Sequence, residues 1–442
     1  MENGTHLRSV NRHAWVAGVF ATLLVFVPLR VPKGLADPTT RYVDQSNPSC
    51  SDAGSGTLSQ PFCTISAAAA VAVAGDDVLV SSGTYTEDVS PANSGTAGAP
   101  IVFEPNTDAS VTVEGASNGF SLSGRSYITI RGFTVSDTTS YGISVSDSSN
   151  IVIENNHVQS AGTPTPDLRA FGIKFSDTTN SSIAHNTVDH NSDSGIDLVH
   201  ESTGVVIDGN ELFANAREYT RAAAGMEILS PGNTVINNLS HGNEDSGINM
   251  RSGGDDTLVA NNVVYRNGDH GIDVSKPTGQ VIVSNTVYKN TTSGINVEGG
   301  GTASIANNIS VDNGINSPRS KGDFRVDSAS ISGTQLDYDL VYLSSPSTLY
   351  VWGGTSYTQL IDFRNATGQE THGLRAGPRF VRANRDDYHL RPDSRAIDSA
   401  NSAAAGEQAT DADGNARVDD PATPNTGAGP RTYDDRGAYE FG

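Results

Sequence analysis

The amino-acid sequence predicts an all-β protein, a right-handed parallel β-helix in which short strands stack coil upon coil. A phrase of glycine, an apolar residue, a polar residue and a second apolar residue recurs seven times. The steps between its glycines are 22 to 24 residues, with two longer steps of 30. Strands this short lack the 3.6-residue period of helices, and no single unit can bury its apolar face alone, so the units must stack. The phrases begin at Gly142, Gly172, Gly195, Gly225, Gly247, Gly271 and Gly294.

A second repeat ends in asparagine and returns with nearly the same step. Asparagine tolerates the left-handed backbone of a tight turn, and its amide can bond the amides of the coils above and below. The pattern therefore predicts an asparagine ladder along one corner of the solenoid, with these residues in the left-handed conformation. They are Asn156, Asn186, Asn210, Asn238, Asn262, Asn285 and Asn308.

Residues 1–36 have the pattern of a signal peptide. Arg8 and Arg12 precede an apolar run from Trp15 to Leu29, and Gly34–Ala36 offers small residues before a cleavage point. The apolar run is about 15 residues long, which is short for a membrane span. We therefore expect a secreted, extracellular protein with no membrane segment after cleavage. An uncleaved membrane anchor is the alternative.

Residues 37–98 are expected to form an N-terminal cap. The chain has two cysteines, Cys50 and Cys63, and their closeness in an exported protein favours a disulfide between them. An alanine-rich helix over about Ser66–Ala74 would cover the apolar end of the first coil, which is otherwise an unpaired sheet edge. The coils are predicted over residues 99–325. Beyond them the period fades, and residues 326–442 are expected to form an irregular C-terminal capping region.

The order of motifs in the cap resembles the N-terminal cap of bacterial secreted β-helix proteins of the pectate-lyase-like superfamily. These motifs are Tyr42-Val43-Asp44, Pro61-Phe62-Cys63-Thr64-Ile65, Gly75-Asp76-Asp77-Val78 and Gly83-Thr84-Tyr85. The stretch from Tyr338 to Gly442, whose last motif is Asp434–Glu440, resembles the tail commonly attached to the same superfamily. The resemblance implies a β-helix over nearly the whole mature chain. It does not fix an activity, because this fold carries lyases, hydrolases, epimerases, adhesins and inert surface proteins.

The chain is acidic, with 50 Asp and Glu residues against 28 Lys and Arg and a formal net charge of −22. Such a surface argues against nucleic acid as a partner. An anionic polymer would be repelled unless cations bridge the two or a basic patch forms locally. We expect a monomer.

Function is expected from the outward-facing column of the repeat. The polar residue of each phrase points to solvent, and stacking places successive members about 4.8 Å apart. Asp197 and Glu227 then lie on adjacent coils and repel each other, so a cation or a ligand should offset them. Lys174, on the preceding coil, could offset the two carboxylates instead, and the column would then be an ordinary solvated face with salt bridges. The column consists of Ser144, Lys174, Asp197, Glu227, Asn249, Asp273 and Asn296.

The more specific interpretation is an acidic-polysaccharide site on this sheet, where enzymes of the superfamily bind substrate. A cation or arginine would neutralise the C6 carboxylate of a uronic acid, and a base would remove the C5 proton. Lys174, Asp197, His200 and His270 are the catalytic candidates, and Glu227, Asn249 and Arg251 are the substrate-binding candidates. Calcium is the candidate cofactor, with Asp197, Glu227 and Asp273 as oxygen ligands.

Two segments resemble the mannuronan C5-epimerases. Ser194–Glu201 is similar to their Tyr-Gly-Phe-Asp-Pro-His-Glu motif, and Tyr265–Gly271 is similar to their Asn-Asp-Arg-His-Gly turn. The resemblance gives Asp197 and His200 the positions of a catalytic pair and His270 that of a second histidine. The sequence departs from the family at Ser194, which replaces the catalytic tyrosine, at Asp269, which replaces arginine, and by one residue inserted before His200.

Two classes of function therefore stay open at this point. One is a lyase or C5-epimerase that acts on an acidic polysaccharide. The other is a non-catalytic carbohydrate-binding or cell-surface structural β-helix. The two differ in whether Lys174, Asp197, His200 and Glu227 converge.

Overall fold

The computed structural model describes residues 39–162, 169–217 and 223–442, and the predicted signal peptide lies outside these ranges. The described residues form the predicted right-handed parallel β-helix. From Ile101 to Trp352, each coil contributes one strand to each of three sheets, in the order sheet 1, sheet 2, sheet 3. The parallel ladders extend beyond the predicted range 99–325 at both ends, from Thr40 to Arg375.

Sheets 1 and 2 are wholly parallel and have twelve strands each. Sheet 1 contains Thr40–Val43, Asp77–Val80, Ile101–Pro105, Ser126–Arg131, Ser149–Glu154, Ser182–Ala184, Val206–Asp208, Thr234–Ile236, Leu258–Ala260, Gln280–Val283, Ala303–Ala306 and Gln335–Asp337. Sheet 2 contains Gly83–Tyr85, Val111–Glu114, Thr134–Ser136, His157–Gln159, Thr187–Asp189, Glu211–Phe213, Leu239–His241, Val263–Tyr265, Thr286–Tyr288, Ile309–Val311, Leu340–Tyr342 and Leu374–Arg375.

Sheet 3 carries the repeated glycine phrase and ends in one antiparallel pair. Its eleven strands are Phe120–Ser123, Ile143–Ser146, Ile173–Ser176, Ile196–Val199, Met226–Ile228, Ile248–Met250, Ile272–Ser275, Ile295–Glu298, Phe324–Val326, Tyr350–Trp352 and Thr355–Tyr357. In the seven repeated phrases, the residues on either side of the polar position face inward, and all are buried, as Ile196 and Leu198 illustrate. The core is thus a set of aligned apolar stacks, one per inward position, because the period of two alternates the faces of each strand.

Glycine opens each phrase because neighbouring coils approach it closely. A Cβ on Gly247 would lie 2.3 Å from a methyl carbon of Val264 and 2.7 Å from the side-chain nitrogen of Asn267. Both distances are shorter than real carbon contacts allow. Glycine therefore recurs in the sequence because the corner between sheets 2 and 3 has no room for a side chain.

The predicted asparagine ladder is present at the corner between sheets 1 and 2. In each step the Nδ2 amide donates to the Oδ1 of the next asparagine at 2.9 to 3.0 Å, from Asn156 to the final acceptor Asp339. The predicted backbone conformation is wrong by one position. The left-handed residue is the one before each ladder asparagine, such as Asn155 or His185. The ladder residue keeps ordinary dihedrals because its side chain must point inward.

A second asparagine ladder, which the sequence analysis did not identify, lies at the corner between sheets 2 and 3. Its members donate in the same direction at 2.8 to 3.0 Å. They are Asn191, Asn215, Asn243, Asn267, Asn290 and Asn313, with Asp323 as the last acceptor. The two ladders satisfy buried amides at two of the three corners.

Each ladder ends in a buried aspartate rather than an asparagine. Asp323 Oδ1 accepts from Asn313 and Ser310, whereas its Oδ2 has no hydrogen-bond partner among the described residues. Burial raises the pKa of Asp323 to about 8. Burial also raises the pKa of Asp339 to about 7. Asp323 is therefore mostly protonated at neutral pH and Asp339 about half protonated, and a protonated carboxyl is close in shape to the asparagine amide.

Asp323→Asn is expected to stabilise the protein at alkaline pH. The folded pKa lies above the unfolded value, so the folded state binds more protons, and the stability contributed by Asp323 is lost as pH rises from about 4 to about 8. The slope cannot exceed about 1.4 kcal/mol per pH unit. We expect the variant to equal the wild type at pH 4 and to exceed it by at least about 2 kcal/mol at pH 8 in urea unfolding. Asp137→Asn, at an exposed position, is the control. Equal pH dependence of wild type and Asp323→Asn would contradict the assignment.

The N-terminal cap contains the predicted helix and disulfide. Helix α1 spans Ile65–Val71 and begins at Thr64, whose side chain accepts a hydrogen bond from the Ala67 amide. It buries Ile65, Ala68 and Ala69 in the core of the solenoid. The disulfide joins Cys50 to Cys63. Among the described residues, none lies in a helix that is long and apolar enough to cross a membrane.

The C-terminal region is more regular than predicted. Helix α2, Leu360–Thr367, covers the end of the last coils, because the Phe363 ring stacks on Tyr350 with ring centroids 4.1 Å apart. Short 3-10 helices occur at Ile331–Gly333 and Ala383–Arg385, and Phe380–Arg382 pairs antiparallel with Asp387–Leu390. Tyr388 packs on Tyr265 and Tyr288. The antiparallel pair formed by Phe380–Arg382 and Asp387–Leu390 therefore packs on the outer face of sheet 2.

Candidate functional site

The outward column of sheet 3 is aligned as predicted. Strand register pairs Ser144 with Lys174, then continues coil by coil through Asp197, Glu227, Asn249, Asp273 and Asn296 to Arg325. The column is more buried than an outward position implies, and Asp197 is only 1% exposed. Its charges therefore interact through a medium that screens them less than water does.

Lys174 and Asp197 form the pair that the sequence predicted to offset the acidic column. The Lys174 Nζ lies 2.6 Å from the Asp197 Oδ2. The same ammonium lies 4.4 Å from the centre of the Phe171 ring, which stacks on Tyr141. Burial raises the pKa of Asp197, and Lys174 opposes that shift. The two rings hold the lysine over the carboxylate.

Glu227 is one of two carboxyls of the column whose pKa lies near neutrality, and it is the one beside an exposed cation. Burial, together with the charge of Asp197 on the adjacent coil, raises the pKa of Glu227 to about 7. Arg251 only partly compensates, with its guanidinium 3.4 Å from Glu227 Oε1 and half exposed to solvent. Glu227 can therefore accept or release a proton near neutral pH, which makes it suitable for general acid–base work.

The next two coils continue the column with amide and carboxyl oxygens. The Asn249 side chain is 6% exposed, and its Oδ1 has no hydrogen-bond partner within the described part of the chain. Burial raises the pKa of Asp273 to about 7, and its Oδ1 accepts from Asn296 at 2.7 Å. Arg325 donates to Asn296 and to Glu298, which closes the column with a cation.

A second acidic group lies at the turn that precedes sheet 3. Asp245 and Asp269 interact, and burial followed by the charge of Asp269 raises the pKa of Asp245 to about 6. Arg319 holds Asp269 at 2.5 Å. His270 is buried, which lowers its pKa, and its Nδ1 accepts from the Ser293 amide at 3.2 Å. The neutral imidazole therefore carries its proton on Nε2.

Of the four catalytic candidates, Lys174 and Asp197 are in contact, His270 lies three coils beyond Asp197, and His200 is not paired with Asp197. His200 sits at the end of its strand with a left-handed backbone, φ 59°. Its ring contacts Ser176 at 2.9 Å and Asp177 at 3.2 Å, on the turn toward sheet 1. The structure shows no bond between His200 and Asp197. The residue inserted before His200 places it beyond the strand, so the epimerase-like pairing with Asp197 is not formed.

Further residues, outside the predicted set, complete the site. Arg319 reaches Asp269 from a loop fifty residues further along the chain, and Arg169 lies 4.0 Å from Asp193. Tyr141 and Phe171 precede the glycines of their phrases, and this aromatic pair before Gly142 and Gly172 was the available signal. Arg319 gave none, since it lies outside the period.

The proposed calcium ligands are separated by their neighbours. Asp197 is engaged by Lys174, and Asn249 stands between Glu227 and Asp273 in the register. Within the described ranges, no group of three or more His, Cys, Asp or Glu side chains is arranged to hold a metal ion. Asn249 Oδ1 is the uncommitted oxygen between the two carboxylates.

Comparison with known sequences identifies the fold family. Residues 82–218 and 213–335 match the model of the right-handed β-helix region. An uncharacterized protein of Bacillus subtilis (strain 168), YwoF, is 32% identical over 316 residues. The match covers 68% of this chain and 62% of that relative, so this chain spans less than two thirds of the relative's length.

Solved structures with the same fold include sugar-related proteins. Pectate lyase Pel9A is similar over 92% of this chain and 97% of its own, with a TM-score of 0.54 and 16% identity. XylC in complex with xylose is similar over 70% of this chain and 75% of its own, with a TM-score of 0.53 and 13% identity. A mannuronic acid specific polysaccharide family 6 lyase from human gut microbiota is similar over 73% of this chain and 78% of its own, with a TM-score of 0.52 and 14% identity. At these identities the likeness concerns the fold.

Proposed function

Because this chain belongs to the right-handed β-helix family, we propose that it is a secreted protein that acts on an acidic polysaccharide at the outer face of sheet 3. The reaction we propose is proton abstraction at C5 of a uronic acid, leading to elimination or to C5 epimerisation. The observation that carries this proposal is Glu227, a buried carboxyl with a pKa of about 7 between Asp197 and the half-exposed Arg251.

Each group of the column receives a role from its position. Glu227 is the proton acceptor, since it is half ionised near neutral pH. Arg251 faces solvent beside it and can pair with the C6 carboxylate of the substrate, which lowers the cost of the carbanion that forms when C5 loses its proton. Lys174 and Asp197 form a positioning pair one coil away. His270, buried at the turn two coils beyond Glu227 and carrying its proton on Nε2, is the candidate proton donor.

The structural relatives support this substrate class. Two of them are, by name, a pectate lyase and a mannuronic-acid-specific lyase, both of which act on uronic acid polymers. The Cys50–Cys63 disulfide is compatible with an extracellular location, where disulfides persist. Extended sugar chains of this class could follow the column along the axis of the solenoid.

Calcium remains a proposed cofactor. Of the predicted ligands, Asp273 would hold the ion together with the Asn249 carbonyl, whereas Glu227 has to stay free to act as the base. Hard oxygen donors suit Ca²⁺, and Asn249 Oδ1 has no hydrogen-bond partner among the described residues. Asp197 drops out of the predicted set because Lys174 occupies it. When bound, the ion would neutralise a substrate carboxylate, a role that Arg251 can fill from this chain.

The test is an assay of the purified protein on alginate, pectate and glucuronan, with calcium and with EDTA. Elimination is followed by the ultraviolet absorbance of the unsaturated uronate, and epimerisation by NMR as deuterium entering C5 in D₂O. We expect turnover of at least one polymer. If neither signal appears on any polymer and the protein still binds one of them, the non-catalytic carbohydrate-binding function replaces this proposal.

A further inference from the structure

A cavity of about 640 Å³ lies near the C-terminal end of the solenoid, apart from the carboxyl column. It is formed by two successive turns between sheets 2 and 3, residues 312–323 and 343–349, and by the segments around Thr358 and Arg375. Its size is within the range of ordinary small-ligand sites.

The lining of the cavity has a charge opposite to that of the protein. The chain carries 50 acidic and 28 basic residues, yet the lining includes Lys321 and Arg375 and no carboxylate. Asp312 contacts this lining, and its Oδ1 accepts a hydrogen bond from the Ser344 backbone amide at 2.6 Å. An acidic protein thus presents a local basic patch, which is the feature an anionic polymer requires for approach.

Both cations are available to a ligand. Neither Lys321 nor Arg375 has an ion-pair partner in the described part of the chain, and both are exposed. Arg375 donates to the Gln359 side chain, which leaves its remaining N–H groups free to bind. By contrast, Arg251, Arg319 and Arg325 along the column are each paired with a carboxylate.

Five hydroxyl groups surround the two cations. None of them makes a hydrogen bond within the described part of the chain, and they belong to Ser344, Ser345, Ser347, Thr348 and Thr358. Ile315, Leu343 and Pro346 add apolar surface. Cations, many hydroxyls and small apolar faces together match a ligand that combines negative charge, hydroxyls and the apolar faces of sugar rings.

We infer that this cavity is a binding site for an anionic saccharide, separate from the carboxyl column and placed to hold the same polymer further along the solenoid. The turn that supplies Lys321 also supplies Arg319, which pairs with Asp269 beside the column. The cavity lies four to five coils beyond Glu227, or about 20 Å at the spacing of stacked strands. That the polymer is a substrate rests on the proposed function, whereas the anion preference rests on the cavity alone.

The test is isothermal titration of the full chain with hexasaccharides of galacturonate and mannuronate, a sulfated hexasaccharide and a neutral xylohexaose. The double variant Lys321→Gln/Arg375→Gln removes both cations at exposed positions. Lys276→Gln/Arg385→Gln is the matched control, because it removes the same charge from two exposed cations elsewhere that form no ion pair with any described residue. Circular dichroism verifies that each variant is folded.

We expect wild type and control to bind a uronate or the sulfated hexamer, and the cavity variant to bind it at least tenfold more weakly. The two anionic arms distinguish carboxylate from sulfate as the recognised group. Repeating the titration in Glu227→Gln separates the two proposals, since cavity binding must persist there whether or not any polymer is turned over. Equal binding of xylohexaose, no binding of any anionic hexamer, or unchanged affinity in the cavity variant would each overturn the inference.

Discussion

Glu227→Gln is expected to reduce turnover of the uronate polymer at least a hundredfold, because glutamine cannot accept the C5 proton and general-base catalysis contributes about 10² to 10⁴ in rate. The amide keeps the shape of the carboxyl, so polymer binding should change little. The loss should therefore appear in kcat rather than in KM. Initial rates of product formation at several polymer concentrations measure both quantities.

The pH dependence of wild-type kcat/KM provides a second test of Glu227 as the base. Burial raises the pKa of Glu227 to about 7, and a base works only when it is deprotonated. We expect kcat/KM to rise about tenfold per pH unit below that value and to level off above it. Lys174→Met, which removes the cation beside Asp197, should shift this limb to higher pH, since the column becomes more negative.

Glu154→Gln is the matched control for Glu227→Gln. Glu154 lies on the outer face of sheet 1 and contacts Arg131 at 3.4 Å, the same separation that joins Glu227 to Arg251. Its neutralisation should leave turnover unchanged. A Glu227→Gln protein that retains activity within threefold of wild type would remove Glu227 from the mechanism and return the role of base to another residue of the column.

Asn262→Leu is expected to destabilise the fold by roughly 3 to 5 kcal/mol, because a buried network loses several partners at once. The Asn262 amide donates to Val235 O, Ala260 O and the next ladder residue, Asn285. Its Oδ1 accepts from the backbone and side-chain amides of Asn238. Leucine satisfies none of these buried groups. Thermal and urea unfolding followed by circular dichroism measure the change.

The control for Asn262→Leu is Asn384→Leu, because Asn384 is exposed and outside both ladders. It should shift the unfolding midpoint little. A loss of less than about 1 kcal/mol in Asn262→Leu would mean that the ladder aligns the coils without stabilising them. Hydrogen exchange would then locate any local opening, since stability in a stacked repeat is distributed over neighbouring units.

Most of the fold could be predicted because the spacing of residues along the chain shows the structural repeat directly. The step between Gly142 and Gly294 fixes the coil length, and the alternation around Asp197 fixes which side chains face inward. The second ladder, at Asn191 and its successors, repeats with steps of 23 to 28 residues, as regularly as the first ladder does from Asn186, so its signal was present in the sequence. The capping helix Leu360–Thr367 lies outside the repeat, where a short segment carries little signal.

For the site, the sequence predicted the column but not its chemistry. Register alone aligns Lys174, Asp197 and Glu227, and the pairing of Lys174 with Asp197 followed from charge. The fate of His200 did not follow, because one inserted residue decides whether it continues the strand or enters the turn. Nor could the sequence foresee how deeply the outward column is buried.

By itself, the sequence determined the solenoid, its register, the first ladder and the alignment of the acidic column, because each of these depends only on the spacing of residues along the chain. Tertiary structure alone decided which carboxyls hold a proton near neutral pH, that Arg319 reaches Asp269 and that Lys321 and Arg375 share a basic cavity. The physical reason is that burial and long-range electrostatic contact arise only when segments far apart in the chain are packed together.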